Sequence, residues 1–88
     1  MVYHISYDLN KPAQNYPRLY EAIKQLGVWC HPGHSTWYVE TNLSADQIRN
    51  TLESVMGRPD ELLVTVAKAP AAWFGLTDEV SAWLKNHL

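Results

Sequence analysis

Cysteine occurs once in the 88 residues, at Cys30, which excludes an intrachain disulfide framework and fits a reducing compartment. No run approaches the roughly 20 apolar residues of a membrane-spanning helix, and the N-terminal stretch lacks the basic region and apolar run of a secretory leader. These absences lead to the expectation of a cytoplasmic protein with no membrane segment. Positive charge is also scarce. Seven Lys plus Arg stand against nine Asp plus Glu, for a net charge of −2, so no overall field draws a phosphate polymer and any contact with RNA or DNA has to be local. Internal repeats, low-complexity tracts and Gly/Ser linkers are missing as well, which predicts one domain over residues 1–88.

What is present is the composition of a folded chain, 47% hydrophobic and 18% charged. A chain this short buries only about 60% of the surface its unfolded form exposes, so dimerisation is a natural supplement. The first stretch, Val2 to Asn10, alternates: Tyr3, Ile5 and Tyr7 fall on one side of a pleated strand, and His4, Ser6 and Asp8 on the other. Asp8, Asn10 and Pro12 close that strand in a turn, which puts Asp8 at the rim of a sheet. Asn15 and Pro17 open a helix in which Tyr16, Leu19, Tyr20, Ile23 and Leu26 share a face, with Gly27 as its left-handed stop.

Val28 to His31 reads as a short strand closed by a Pro32-Gly33 turn, and Ser35 to Thr41 as its hairpin partner. Ser44 and Gln47 form a capping box ahead of a helix carrying Ile48, Leu52, Val55 and Met56, which ends at Gly57-Arg58-Pro59. Leu62 to Val66 is a continuous apolar, β-branched run that predicts a strand covered on both faces. Thr77 caps a last helix with Val80, Trp83 and Leu84 on one face, after the aromatic segment around Trp73. The order is that of an α+β, ferredoxin-like βαββαβ domain over residues 2–68, with a C-terminal helical tail over 69–88. Right-handed crossovers place the first two helices on one face. The opposite face, with His4, Ser6, Thr36, Tyr38, Leu63 and Thr65, is expected to lack cover and to want a partner.

A first strand ending Ser6-Tyr7-Asp8-Leu9, an amphipathic helix, Ser35 to Val39 and a capped second helix together resemble the small CRISPR-associated Cas-two and VapD-like proteins over residues 2–68. His4 to Leu9, Ser35-Thr36-Trp37 and Ala72-Trp73 are similar to the pattern of small bacterial proteins labelled SinR-like. The resemblance implies a homodimer of ferredoxin-like domains. In some relatives it also implies metal-dependent cleavage of RNA or DNA, with Asp8 at the position of the aspartate that ends the first strand at the subunit interface. Two such carboxylates meeting at a two-fold axis would make a hard-oxygen site for Mg²⁺ able to activate water. Between residues 9 and 20 the sequence has only Lys11 and Arg18 as basic residues, fewer than Cas-two proteins carry there.

Each candidate residue also has a structural explanation. Asp8 also fits the closing of a turn before Asn10, the commoner use of an aspartate at such a place. His4, Ser6 and Tyr38, with the hairpin histidines, are a candidate acid–base set for a metal-free ribonuclease, and also ordinary sheet residues. Cys30, His31 and His34 are zinc ligands by type, but their spacing fits a turn and no standard zinc pattern, so no zinc is expected. The four tryptophans lack the neighbouring motif of a base-stacking sheet and are assigned to packing. Arg18 and Asn42 faintly resemble the acylphosphatase arrangement, without the glycine-rich loop of an anion cradle. The competing functions are therefore a Mg²⁺-dependent nuclease using Asp8, a non-catalytic scaffold or toxin–antitoxin partner, and, more remotely, an anion-binding hydrolase.

Overall fold

Strand β1 (Val2–Asp8) lies inside the sheet, between β3 (Thr36–Glu40) and β4 (Glu61–Ala67), and β2 (Val28–Gly33) pairs with the far side of β3. The resulting order β2-β3-β1-β4 is antiparallel at every junction. The described residues also form three helices: α1 (Tyr16–Lys24), α2 (Ala45–Glu53) and α3 (Asp78–His87). The protein is thus α+β, with a four-stranded antiparallel sheet; this is a computed structural model that describes residues 1–9, 16–57 and 60–88. The Asn15 cap, the Asn10 to Pro12 turn and the Arg58-Pro59 stop fall outside those residues.

The alternation of the first strand does what its period predicts. Tyr3, Ile5 and Tyr7 turn toward α1 and α2 and are joined there by Trp37 and Val39 from β3, Leu19 and Ile23 from α1, and Ile48 and Leu52 from α2. Burying each such aliphatic side chain contributes about 1.5–3 kcal/mol. Trp37, fully buried, donates its indole N–H to the Tyr7 hydroxyl at 3.0 Å, and that hydroxyl donates to the His34 carbonyl at 3.1 Å. The bulkiest core residue therefore enters the interior with its polar atom satisfied. The capping box at Ser44 and Gln47 is complete in both directions, and the Thr77 hydroxyl accepts from the Val80 N–H at the start of α3.

Several expectations need correction. Helix α1 ends at Lys24, and Gly27 is not in a left-handed conformation; among the glycines only Gly75, at φ 84°, is. Gly27 is required instead by close approach to the backbone of β3. Strand β2 runs through Pro32 and Gly33 with an irregular register after Cys30, and the turn falls at His34 and Ser35. Pro32 is tolerated because β2 is an edge strand with no outer ladder to supply. Strand β4 is not buried on both faces: it is the other edge, with Leu63 57% and Val66 46% exposed. Consecutive apolar residues marked it as covered, but its place at the edge of the sheet leaves it open.

The sheet face opposite α1 and α2 is not bare either. Register puts Val2, Cys30, Tyr38 and Glu40 on that face, and α3 packs against β2 there. Val2, Cys30 and Leu84 of α3 are all buried outside the main core. The tail, expected to pack on the domain or on a partner, roofs the β2 side of the sheet, and among the described residues the β1–β4 side is the more open one.

Candidate functional site

The open half-face is built by β1 and its neighbours. His4 sits opposite Tyr38 on one side and Thr65 on the other, Ser6 lies between Thr36 and Leu63, and Asp8 is opposite Glu61. All four predicted site residues, His4, Ser6, Tyr38 and Asp8, therefore share one face. They do not form one cluster. At about 3.3 Å per residue, His4 and Asp8 stand roughly 13 Å apart along the strand, too far for both to act on one reacting atom.

At the inner end, the His4 ring stacks on Tyr38 with centroids 5.0 Å apart and planes 26° from parallel. Burial holds the His4 imidazole below its ordinary pKa, because a charged ring loses hydration there. A neutral imidazole of this kind accepts a proton poorly. At the outer end, Asp8 and Glu61 are both exposed and face each other across the β1–β4 pair. Ser6, Leu62 and Leu63 line the same shallow depression. Two like charges directly opposite each other repel, so this corner favours a cation. Carboxylate oxygens are the donors Mg²⁺ prefers, so the residue types fit that ion. Among the described residues no group of three or more His, Cys, Asp or Glu is placed to hold a metal.

Sequence reasoning missed Glu61 as a partner of Asp8. Its only signal is a charged residue at the start of an apolar strand, and pairing it with Asp8 requires the register.

The hairpin residues do not converge with His4. His31 lies on the helix side, stacked on Trp37 at 3.8 Å and edge-on to Tyr20 at 5.3 Å, with its Nε2 buried and unpartnered. Desolvation lowers its pKa, against weaker opposing hydrogen bonds to the His34 and Gly33 backbone. Cys30 points to the other face beneath α3, where burial pushes its thiol up to about 11, so at neutral pH it is a thiol and not a nucleophilic thiolate. His34 is exposed at the turn. The hairpin histidines thus drop out of an acid–base set with His4, Ser6 and Tyr38. Arg18 is exposed on α1, and Asn42 is exposed after β3.

At the far corner, a His87 ring nitrogen meets Glu40 Oε1, and Trp83 stacks on the His87 ring at 4.0 Å. The His87 hydrogen bond holds the Glu40 carboxyl below its usual range. This pair fastens the end of α3 to β3. No helix among the described residues is long and apolar enough to cross a membrane. Neither family profiles, nor curated proteins, nor solved structures contain a match to this chain.

Proposed function

We propose that the chain is a ferredoxin-like domain of the Cas-two and VapD group that works as a homodimeric interaction protein and not as a nuclease. The strand order β2-β3-β1-β4, antiparallel throughout and joined by two helices on one face, supports the ferredoxin-like assignment. The observation that carries the functional reading is β4, an edge strand that exposes Leu63 and Val66 on its two faces. Apolar side chains on both sides of a free edge suit a protein partner. Polyanion binding has little support, since the net charge is −2 and the segment after Asp8 holds only Lys11 and Arg18.

A second reading rests on a separate observation, the opposed carboxylates of Asp8 and Glu61 beside Ser6. In that reading the pair holds Mg²⁺, which would neutralise charge on a phosphodiester and activate water, within a cytoplasmic dimer acting on RNA or DNA. One experiment separates the two. The purified protein is sized by light scattering at tens of micromolar and incubated with single- and double-stranded RNA and DNA in Mg²⁺ or Mn²⁺. A dimer without cleavage is the expected result; turnover that disappears in Asp8→Asn assigns the chain to the nuclease reading.

A further inference from the structure

We infer that two copies of this chain join edge to edge through β4, in antiparallel register, so that the two sheets continue as one. The inference rests on the homodimeric reading above and names its interface.

The two edges of the sheet differ. At β2 the ladder is broken by the irregular register between Cys30 and Gly33, Pro32 offers no N–H, and α3 packs against the strand. These are standard means of preventing a sheet from adding another strand. At β4 the ladder with β1 is regular from Glu61 to Ala67 and the strand has no proline; the helix that packs against it, α2, lies on the covered face of the sheet. Among the described residues β4 pairs only with β1, and Leu62-Leu63-Val64-Thr65-Val66-Ala67 contains no charge, proline or glycine. A six-residue, uncharged, β-branched segment with a free row of N–H and C=O groups is a template for a further strand. Helix α3 packs against β2, at the other edge, and the end of the tail, His87 and Leu88, shares a depression with Ala67 and Lys68 at the end of β4.

Charge placement identifies the occupant as a second copy. Glu61 begins the strand and Lys68 immediately follows it, both exposed. When β4 meets itself antiparallel about a two-fold axis near Val64, each Glu61 approaches the Lys68 end of the other copy, and the uncharged centre pairs with itself. A parallel arrangement would instead bring Glu61 to Glu61 and Lys68 to Lys68. The two-fold axis also preserves the faces, so Leu62 and Val64 extend the helix-side layer while Leu63 and Thr65 extend the open face. The interface is isologous and closes at two copies.

The test uses the full chain and measures mass by light scattering from 5 to 200 µM, with circular dichroism to confirm folding. Leu63→Lys with Val66→Lys places charge at two exposed positions, so the fold is kept, and the apparent dimer dissociation constant is expected to rise at least a hundredfold. Glu61→Lys alone is expected to weaken the dimer about tenfold, while Glu61→Lys combined with Lys68→Glu restores it. Glu61→Lys removes the repulsion with Asp8 inside each copy, so loss of dimer by that variant cannot be attributed to unfolding. Backbone amides of β4 should gain hydrogen-exchange protection as concentration rises, and those of β2 should not. A wild type that is monomeric throughout overturns the homodimeric reading itself. A wild-type dimer that survives the double lysine variant, or whose β4 amides exchange independently of concentration, leaves that reading standing and overturns the β4 interface. A dimer unaffected by Glu61→Lys overturns the antiparallel register.

Discussion

Gly27 lies against Glu40 so closely that a Cβ added at Gly27 would stand 2.1 Å from the Glu40 carbonyl oxygen and 3.2 Å from Thr41 Cβ. The neighbour is backbone of an interior strand, which cannot rotate aside as a side-chain tip can. Gly27→Ala must therefore push the start of β2 away from β3 or shift β3 itself. Overpacking of this kind costs about 1–3 kcal/mol. For a domain of this size that lowers the melting midpoint by roughly 4–8 °C per kcal/mol, measurable by thermal circular dichroism. A midpoint unchanged within a degree would show that the junction yields freely.

The sheet's central strands were readable in the sequence because Tyr3, Ile5 and Tyr7, and Trp37 and Val39, alternate with polar neighbours at the strand period. The caps at Ser44 and Thr77 were readable because each is a local pattern whose partner lies three residues away. What could not be read depends on neighbours far along the chain. Leu62 to Val66 has the composition of an interior strand, and only the sheet order places it at an edge. Gly27 looks like a helix stop until β3 is put beside it. Asp8 was legible as a rim residue, but its pairing with Glu61 spans 53 positions and is a matter of register. The roof formed by α3 was hidden for the same reason: its apolar stripe shows that the helix packs, not where.

That roof makes a measurable claim about Leu84, which is 2% exposed and lies on the helix that packs against β2. Leu84→Ala is expected to destabilise the domain by about 2–5 kcal/mol, the usual range for a buried leucine truncated to alanine. Cys30 reports on the same event, since it lines the cleft that β2 forms with Val80 and Trp83. In the wild type its thiol is buried and protonated, and should react slowly with a thiol reagent at neutral pH. In Leu84→Ala the labelling rate should rise under native conditions. Equal labelling rates in the two proteins would show that α3 does not control access to Cys30.

Acid sensitivity should originate partly at His31. Its ring is stacked on Trp37, its Nε2 has no partner, and burial, aided by the charges of His34 and Lys24, lowers its pKa in the folded state. Between that lowered value and the unfolded value of about 6.5, the unfolded chain binds more protons. The stability contributed by neutral His31 is therefore complete above about pH 6.5 and is lost as pH falls below it. His31→Phe keeps an aromatic ring against Trp37 and removes the titration. Urea unfolding at intervals from pH 7.5 to 5 should show a shallower decline in stability for the variant than for the wild type. Parallel declines would place the acid sensitivity elsewhere, with His4 the next residue to replace, since burial lowers its pKa as well.

The last prediction concerns Asp8, whose carboxylate faces that of Glu61 across the β1–β4 pair. Directly opposed like charges destabilise a strand pair, and both side chains are exposed, so the repulsion should be modest and screened by salt. Asp8→Asn keeps the size and turn preference of the residue while removing one of the two charges. At low ionic strength the variant should melt slightly higher than the wild type, and the difference should shrink in 0.5 M NaCl. Divalent ions make the sharper distinction. If the two carboxylates can share Mg²⁺ or Mn²⁺, millimolar metal stabilises the folded wild type by mass action and leaves Asp8→Asn nearly unchanged. Glu61→Gln should behave like Asp8→Asn, because the pair and not either residue alone creates the site. Thermal melts of the three proteins with and without 5 mM MgCl₂ or MnCl₂, matched for ionic strength, supply the comparison. A metal shift equal in all three would mean that the ion binds elsewhere, and that the facing carboxylates are an electrostatic cost at the sheet's rim with no cation to relieve it.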